Sequence, residues 1–292
     1  MKNLFYYLSL IFGFLMLSSC DPLQDANGDF LTGIDYNPGT GSGGGQNAVT
    51  KNIKTVTTVD MDGEKVVATY LYTGGRITGI TSDNNSFKYA LSYVGDDISQ
   101  MDYEYLDTYS GEKTVNSQAL SYTGGRLTSS KGSNKVNGEL VYNSTTTYNY
   151  DGDKIKNIIT KVKDETNTTE IFTIQTDYTF NGNNVSGMKY TIKLESEGPV
   201  TMEPIEITTA FSNYDVMKNP LNSLPIAFKL VSSHFDLENN VASGLSINNA
   251  KTMRVTTNVE SISATLNFIY DADGYPTSGT SGNGTVAFEY VK

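Results

Sequence analysis

The chain has 292 residues, room for one large all-β domain or two smaller ones, and its 20 Tyr and 12 Phe supply core area in the absence of Trp. With 32 acidic against 21 basic residues the net charge is −11, and no run of basic side chains offsets it, which argues against a nucleic-acid partner. One cysteine, Cys20, and one histidine, His234, exclude an internal disulfide and leave little with which to build a Cys/His zinc cluster or a Ser-His-Asp or Cys-His arrangement.

The first element is "MKNLFYYLSLIFGFLMLSSC". Lys2 precedes an apolar run, Leu4–Leu17, that is too short and too poorly flanked for a stable span and reads as a secretion signal over residues 1–19. "LSSC" at Leu17–Cys20 resembles the lipobox of bacterial lipoproteins. That resemblance implies cleavage before Cys20, lipid attachment to it and stable anchoring by several acyl chains. Residues 20–47 follow as the lipidated cysteine and a tether rich in Gly, Asp, Asn and Pro, closing on the Gly/Ser run Gly41–Gly45. Such a linker spans roughly 30 Å on average. Asp21, Asp25 and Asp29 resemble the acidic residues that follow the cysteine in surface-exported lipoproteins of Bacteroidota, and acidic residues are also common in linkers generally.

Residues 48–292 read as a single β domain built on a weak repeat of aromatic, turn and aliphatic. Its copies are Tyr72-Thr-Gly-Gly-Arg-Ile77, Tyr93-Val-Gly-Asp-Asp-Ile98, Tyr122-Thr-Gly-Gly-Arg-Leu127, Tyr150-Asp-Gly-Asp-Lys-Ile155 and Phe180-Asn-Gly-Asn-Asn-Val185. Tyr270-Asp-Ala-Asp-Gly-Tyr275 is an altered late copy. In each unit an aromatic ends a strand, Gly, Asn or Asp supplies the tight turn, and an aliphatic starts the return strand. The expectation is a string of hairpins, an up-and-down antiparallel meander.

Period-two alternation supports it. Phe172, Ile174, Tyr178 and Phe180 interleave with Thr173, Gln175, Asp177 and Thr179, and Met188, Tyr190, Ile192 and Leu194 interleave with Lys189, Thr191 and Lys193. One face is dry and one wet. No amphipathic helix is evident to cover the dry face, so the sheet is expected to close as a soluble barrel-like or sandwich-like structure. A membrane barrel uses the same alternation reversed. The lipid anchor, the Tyr spread along strands and the ending "FEYVK" argue against it.

After Pro199 the alternation fades. "FSNYDVMKNPLNSLP" (Phe211–Pro225) reads as a long irregular connection with at most one helical turn, and strands are expected to resume near "IAFKLV", "TMRVTTNV", "SATLNFIYD" and "GTVAFEYV". His234, in "LVSSHFDLE", is expected in a strand or at its end, as a structural or solvent-exposed residue.

"YNYDGDKIKNI", "FSNYDVMKNPL" and "FIYDADGYPTS" together resemble DUF4595, an uncharacterised family of Bacteroidota lipoproteins described as having a porin-like β fold, over Ile53 to Lys292. The tyrosine-aspartate phrases are also distantly similar to the YD repeats of Rhs-type proteins. The resemblance implies fold and envelope location and carries over no catalytic residue.

Candidate chemistry is sparse. "DMDGE" (Asp60, Asp62) and "DADG" (Asp271, Asp273) are weak calcium-loop candidates, as is "DGD" at Asp151–Asp153, but in each the glycine comes too early for a calcium loop and turn geometry accounts for the residues. Gly74–Gly75 and Gly124–Gly125 are followed by strands rather than a helix, so they are not phosphate cradles, and Arg76 and Arg126 belong on the wet face. Glu104 and Asp107 would be the acids of a glycosidase only if they met in a cleft. The expectation is therefore no catalytic residue, no metal and no cofactor. The chain reads as an outer-membrane protein anchored through Cys20, on the periplasmic or the surface side, that binds a glycan, peptide or partner protein. The alternatives are a secreted glycoside hydrolase and a purely structural envelope component.

Overall fold

In the computed structural model the described residues are 50–291, apart from 108–109, 167–169, 195–202, 236–240 and 283. The signal segment, Cys20 and the tether lie outside them. Seventeen strands follow one another: β1 (Ile53–Asp60), β2 (Lys65–Thr73), β3 (Arg76–Ser82), β4 (Phe87–Val94), β5 (Asp97–Leu106), β6 (Lys113–Thr123), β7 (Arg126–Val136), β8 (Glu139–Asp151) and β9 (Lys154–Asp164). Then come β10 (Glu170–Asn181), β11 (Asn184–Leu194), β12 (Ile205–Tyr214), β13 (Ala250–Thr257), β14 (Ser261–Thr265), β15 (Asn267–Tyr270), β16 (Pro276–Ser281) and β17 (Gly284–Tyr290). Neighbours in sequence are neighbours in the sheet, all antiparallel, as the hairpin repeat predicts. β1 pairs with both β2 and β17, which nearly closes the meander into a barrel. β14 and β15 form one path interrupted at Leu266: the first half pairs β13, the second β16. Closure removes the open edges that a long meander would otherwise expose.

The two faces differ most clearly from β3 to β12, where inward side chains are buried. Inward rows such as Thr160–Ile174–Ile192 and Ile158–Thr176–Tyr190 are set by strand register, and Ile158, Thr160, Thr176, Ile174 and Tyr190 are all buried. The outward face carries Ser, Thr, Lys, Asp and Glu, with ion pairs between adjacent strands: Lys113–Glu104 at 2.7 Å, Lys189–Glu206 at 2.7 Å and Lys54–Glu289 at 3.3 Å. Over these strands the barrel is dry inside and polar outside, while on β2, β14, β15 and β17 the inward side chains are only half-buried.

The repeat has more content than its sequence phrase suggests. In the five regular copies the two-residue loop begins with glycine at positive φ, from +57° at Gly152 to +63° at Gly95, the backbone that lets a tight turn match the twist of its strands. In every copy the ladder shifts just before the aromatic, leaving one extra residue on the return strand. In four copies, at Thr78, Ser99, Thr128 and Thr277, its hydroxyl donates back across the hairpin to the carbonyls of Leu71, Ser92, Ser121 and Ile269. The aromatic then ties its hairpin to the preceding one. Tyr93 Oη donates to the Ile77 carbonyl at 2.7 Å, Tyr122 to Ile98 at 2.9 Å and Tyr150 to Leu127 at 2.9 Å. Burial pushes the Tyr122 hydroxyl up to about 12, so it remains a donor at neutral pH. The basic residue after the turn reaches forward: Arg76 bonds the Gly95 carbonyl and Asp96, and Arg126 bonds the Gly152 carbonyl and Asp153. These arginines stand on the wet face, as expected, and cover the rings of Tyr93 and Tyr150 at 5.8 and 4.8 Å.

The connection between β12 and β13 corrects the sequence reading. Pro220–Ser223 is a 3₁₀ turn, and Ile226–Phe235, expected to begin a strand at "IAFKLV", is a helix, α1. Pro225 sits just before it, where a missing N–H costs nothing, and its carbonyl takes the Lys229 amide. Every residue from Ala227 to His234 is buried. A helix covered on all sides needs no polar face, so it leaves no amphipathic signature. α1 fills the lumen from the end of the barrel that holds the repeat turns, covering part of the dry face that the sequence left to another sheet.

Candidate functional site

The lumen around α1 is where the polar and titratable groups gather. His234, expected in a strand, closes the last turn of α1 and is fully buried. Its Nε2 lies 2.7 Å from Thr160 Oγ1 and its Nδ1 2.7 Å from Thr176 Oγ1. A neutral ring satisfies both contacts by donating to one threonine and accepting from the other. Thr160 also bonds Thr146 at 2.8 Å, so the chain of contacts crosses from β8 to β10 through the helix. Burial holds the imidazole down at about 3. Beside it Tyr178 donates to Ser233 at 2.7 Å, and Ser233 donates to the Leu230 carbonyl. Burial raises the hydroxyls of Tyr148, Tyr178 and Tyr190 well above the usual range.

A second network lies on β6 to β8. Ser130 donates to Gln118 Oε1 at 2.9 Å and Gln118 Nε2 to Asn116 Oδ1 at 2.9 Å. Gly132 leaves room for it: an added Cβ would stand 2.1 Å from Gln118 Nε2 and 2.5 Å from Ser144 Oγ. Between Gln118, Asn116, Tyr89, Tyr103 and Ser232 remains a crevice of ≈ 10 Å³, about one water in size. The buried Ser232 hydroxyl has no protein partner. Lys229, one turn before Ser232 and Ser233 on α1, is buried against Gly244, and burial lowers its ammonium to about 8. This arrangement holds a plug in place. The hydroxyls beside the His234 ring, those of Thr160 and Thr176, are as fully buried as the ring itself.

The sequence-predicted residues fall elsewhere. Asp60 Oδ1 accepts the amides of Asp62 and Glu64, closing the β1–β2 turn. Asp271 Oδ1 accepts those of Asp273 and Tyr275 in the same way. The Lys51 ammonium sits against both Asp271 and Asp273, at 2.7 and 2.6 Å, where a calcium ion would have to go. It holds the Asp271 carboxyl below the usual range, against the opposing effect of partial burial. No group of three or more His, Cys, Asp or Glu that could hold a metal occurs among the described residues. Glu104 faces outward and pairs with Lys113, while Asp107 accepts the Ser110 amide in the following loop. Cys20 lies outside the described residues. The residues that sequence reasoning missed are those of α1 and the threonines opposite it. Their only signal was Thr176, a polar residue standing in the apolar phase of β10.

No family model matches the chain, so the resemblance to DUF4595 gains no support there, and no curated protein matches it. Among solved structures, a porin-like protein from Bacteroides vulgatus ATCC 8482 superposes with a TM-score of 0.54 at 14% identity, covering 82% of this chain and 99% of that one. A porin-like protein from Bacteroides uniformis ATCC 8492 gives 0.44 at 15% identity, over 83% and 98%. The first of these likenesses shows that the chain shares the barrel fold of the vulgatus protein.

Proposed function

We propose that the chain is a non-catalytic envelope protein, anchored in the outer membrane through lipidated Cys20, whose barrel stands in water and binds a glycan or a partner protein. The observation that carries this reading is the polar outer face. Lys189, paired with Glu206, stands midway along β11 on the outer face, and a lysine at a bilayer midplane would cost about 2–4 kcal/mol. A barrel with its dry face inward and α1 in its lumen is suited neither to spanning a bilayer nor to conducting. Membrane attachment is then left to the N-terminal lipid, and function to the outer face and the loops.

The test is carbonate washing of membranes with metabolic lipid labelling, on the native chain and on Cys20→Ala. The native chain is expected in the membrane fraction with label. C20A is expected unlabelled and in the supernatant. Retention of unlabelled C20A in washed membranes would mean that the barrel itself is embedded, and would sink the reading.

A further inference from the structure

One strand edge survives the closure of the barrel. β14 pairs with β13 over its whole length, and among the described residues no strand pairs with its other side. β16, the neighbour of β15, reaches only to Ser281, one residue past the partner of Asn267. The five residues of β14 therefore stand above the point where the β16–β17 hairpin turns back.

Register fixes which backbone groups are left over. At the two ends of the β13–β14 ladder, Thr257 N donates to the Glu260 carbonyl at 2.9 Å and Leu266 N to the Lys251 carbonyl at 2.7 Å. Bonded pairs alternate with unbonded ones in an antiparallel ladder, so the bonded pairs between those ends are Val255–Ile262 and Met253–Ala264. The N–H and C=O groups of Ser261, Ser263 and Thr265 point the other way. Their side chains lie on the exposed outer face, while Ile262 and Ala264 face the lumen, half-buried. Ser261 Oγ accepts from Arg254 Nε at 2.7 Å, a bond that leaves the Ser261 backbone untouched. β14 carries no charge, no proline and no bulge, the devices that ordinarily keep an edge strand from pairing.

We propose that this edge receives an extended segment of a partner protein as an added strand, apolar at alternate positions and without acidic side chains. The proposal rests on the barrel standing in water and binding a partner. Backbone bonds to Ser261 and Ser263 supply the attraction, and the alternate side chains supply the selectivity. Residues directly opposite one another in antiparallel strands share a face. The partner residues bonded to Ser261 and Ser263 therefore point outward and are polar. Those between them point inward beside Ile262 and Ala264, where apolar side chains complete a half-covered surface. Glu260, at the head of the edge, is exposed, and the molecule has a net charge of −11, so an acidic strand is disfavoured. A second copy of the chain fits less well. Its β14, laid antiparallel like every other pair in this sheet, would bring its own β13–β14 turn into the lane that β16 occupies.

The experiment uses the full chain in detergent micelles. The probe is a fluorescein-labelled peptide with the sequence Lys251–Asn258, drawn from β13, whose Met and Val alternate with Thr, Arg and Thr. Fluorescence anisotropy is expected to report binding. N-methylation of the peptide at the positions of Thr252, Arg254 and Thr256 is expected to weaken binding about tenfold or more, and at those of Met253 and Val255 by less than about twofold, because only the first set turns its N–H groups to the edge. Ser263→Pro removes an N–H that makes no bond within the sheet, so it is expected to weaken binding about tenfold with little change in melting temperature. Amide hydrogen exchange on the native chain keeps the test decisive even if that variant folds poorly. Ser261 and Ser263 are expected to exchange rapidly without peptide and about tenfold more slowly with it, while Ile262 and Ala264 stay protected throughout. Absence of peptide binding, equal effects of the two methylation patterns, or unchanged exchange at Ser261 and Ser263 would overturn the proposal. Protection of both serines without peptide that grows with chain concentration would put a second copy on the edge and overturn it as well. None of these outcomes touches the carbonate-wash result, which judges the underlying reading by itself.

Discussion

His234 Nε2 and Thr160 Oγ1 lie 2.7 Å apart at the centre of the barrel, joining the last turn of the plug helix to β9. The contact requires a neutral imidazole with no water around it. The folded state holds the ring at about 3, against about 6.5 in an unfolded chain. The unfolded state therefore binds the extra proton between those values, and stability present above pH 6.5 is lost as pH falls toward 3. The loss attributable to this one residue is about 5 kcal/mol. Urea unfolding across pH 7 to 4 should show it. His234→Gln should flatten that limb, and an unchanged slope would mean that His234 is not the group responsible.

Lys229 gives a window of the same sign at higher pH. Its ammonium is lowered by burial to about 8, from an ordinary 10.5. At pH 7 the charge is buried with no carboxylate paired to it among the described residues, so Lys229→Met is expected to stabilise the fold by on the order of 2–3 kcal/mol. The gain should shrink as pH rises from 8 to 10.5, where the folded native chain sheds the proton that its unfolded form keeps. A destabilised K229M at pH 7 would show that the amine makes a needed contact.

Gly132 faces inward where Gln118 and Ser144 close over it, with Gln118 Nε2 2.1 Å from the position of an added Cβ. Gly132→Ala must push the amide away from Asn116 or move the strand. The expected cost is about 1–3 kcal/mol, as for other overpacked cores. Thermal denaturation would check it, and a variant as stable as the native chain would show that the network tolerates rearrangement.

The tyrosine ladder predicts an effect carried by hydroxyls rather than rings. Tyr150→Phe keeps the ring under Arg126 but removes the bond to the Leu127 carbonyl. The expected loss is about 1 kcal/mol. Phe180, which already lacks a hydroxyl and lies under Lys154 at 5.3 Å, provides the internal comparison. Hydrogen exchange should report the loss locally, at the β6–β7 and β8–β9 turns.

Deleting Asp21–Gln46 is expected to leave the melting temperature nearly unchanged, because a Gly- and Asp-rich linker has little apolar area to bury. A drop of several degrees in scanning calorimetry would make that segment part of the fold.

The hairpins, their antiparallel order and the inward and outward faces of β10 and β11 were legible in the chain itself. Each depends on short-range chemistry: glycine at positive φ in a two-residue loop, and a period of two along a strand. The plug was not legible. α1 is covered on every side, so it carries no amphipathic period, and its Ile226–Val231 segment has the β-branched and aromatic content of a strand. Nor could Thr160, Thr176 and His234 be read as one site, because their meeting depends on where the β12–β13 connection enters the lumen. Local rules determine each strand and turn, while long-range pairing decides which side chains become neighbours across the barrel.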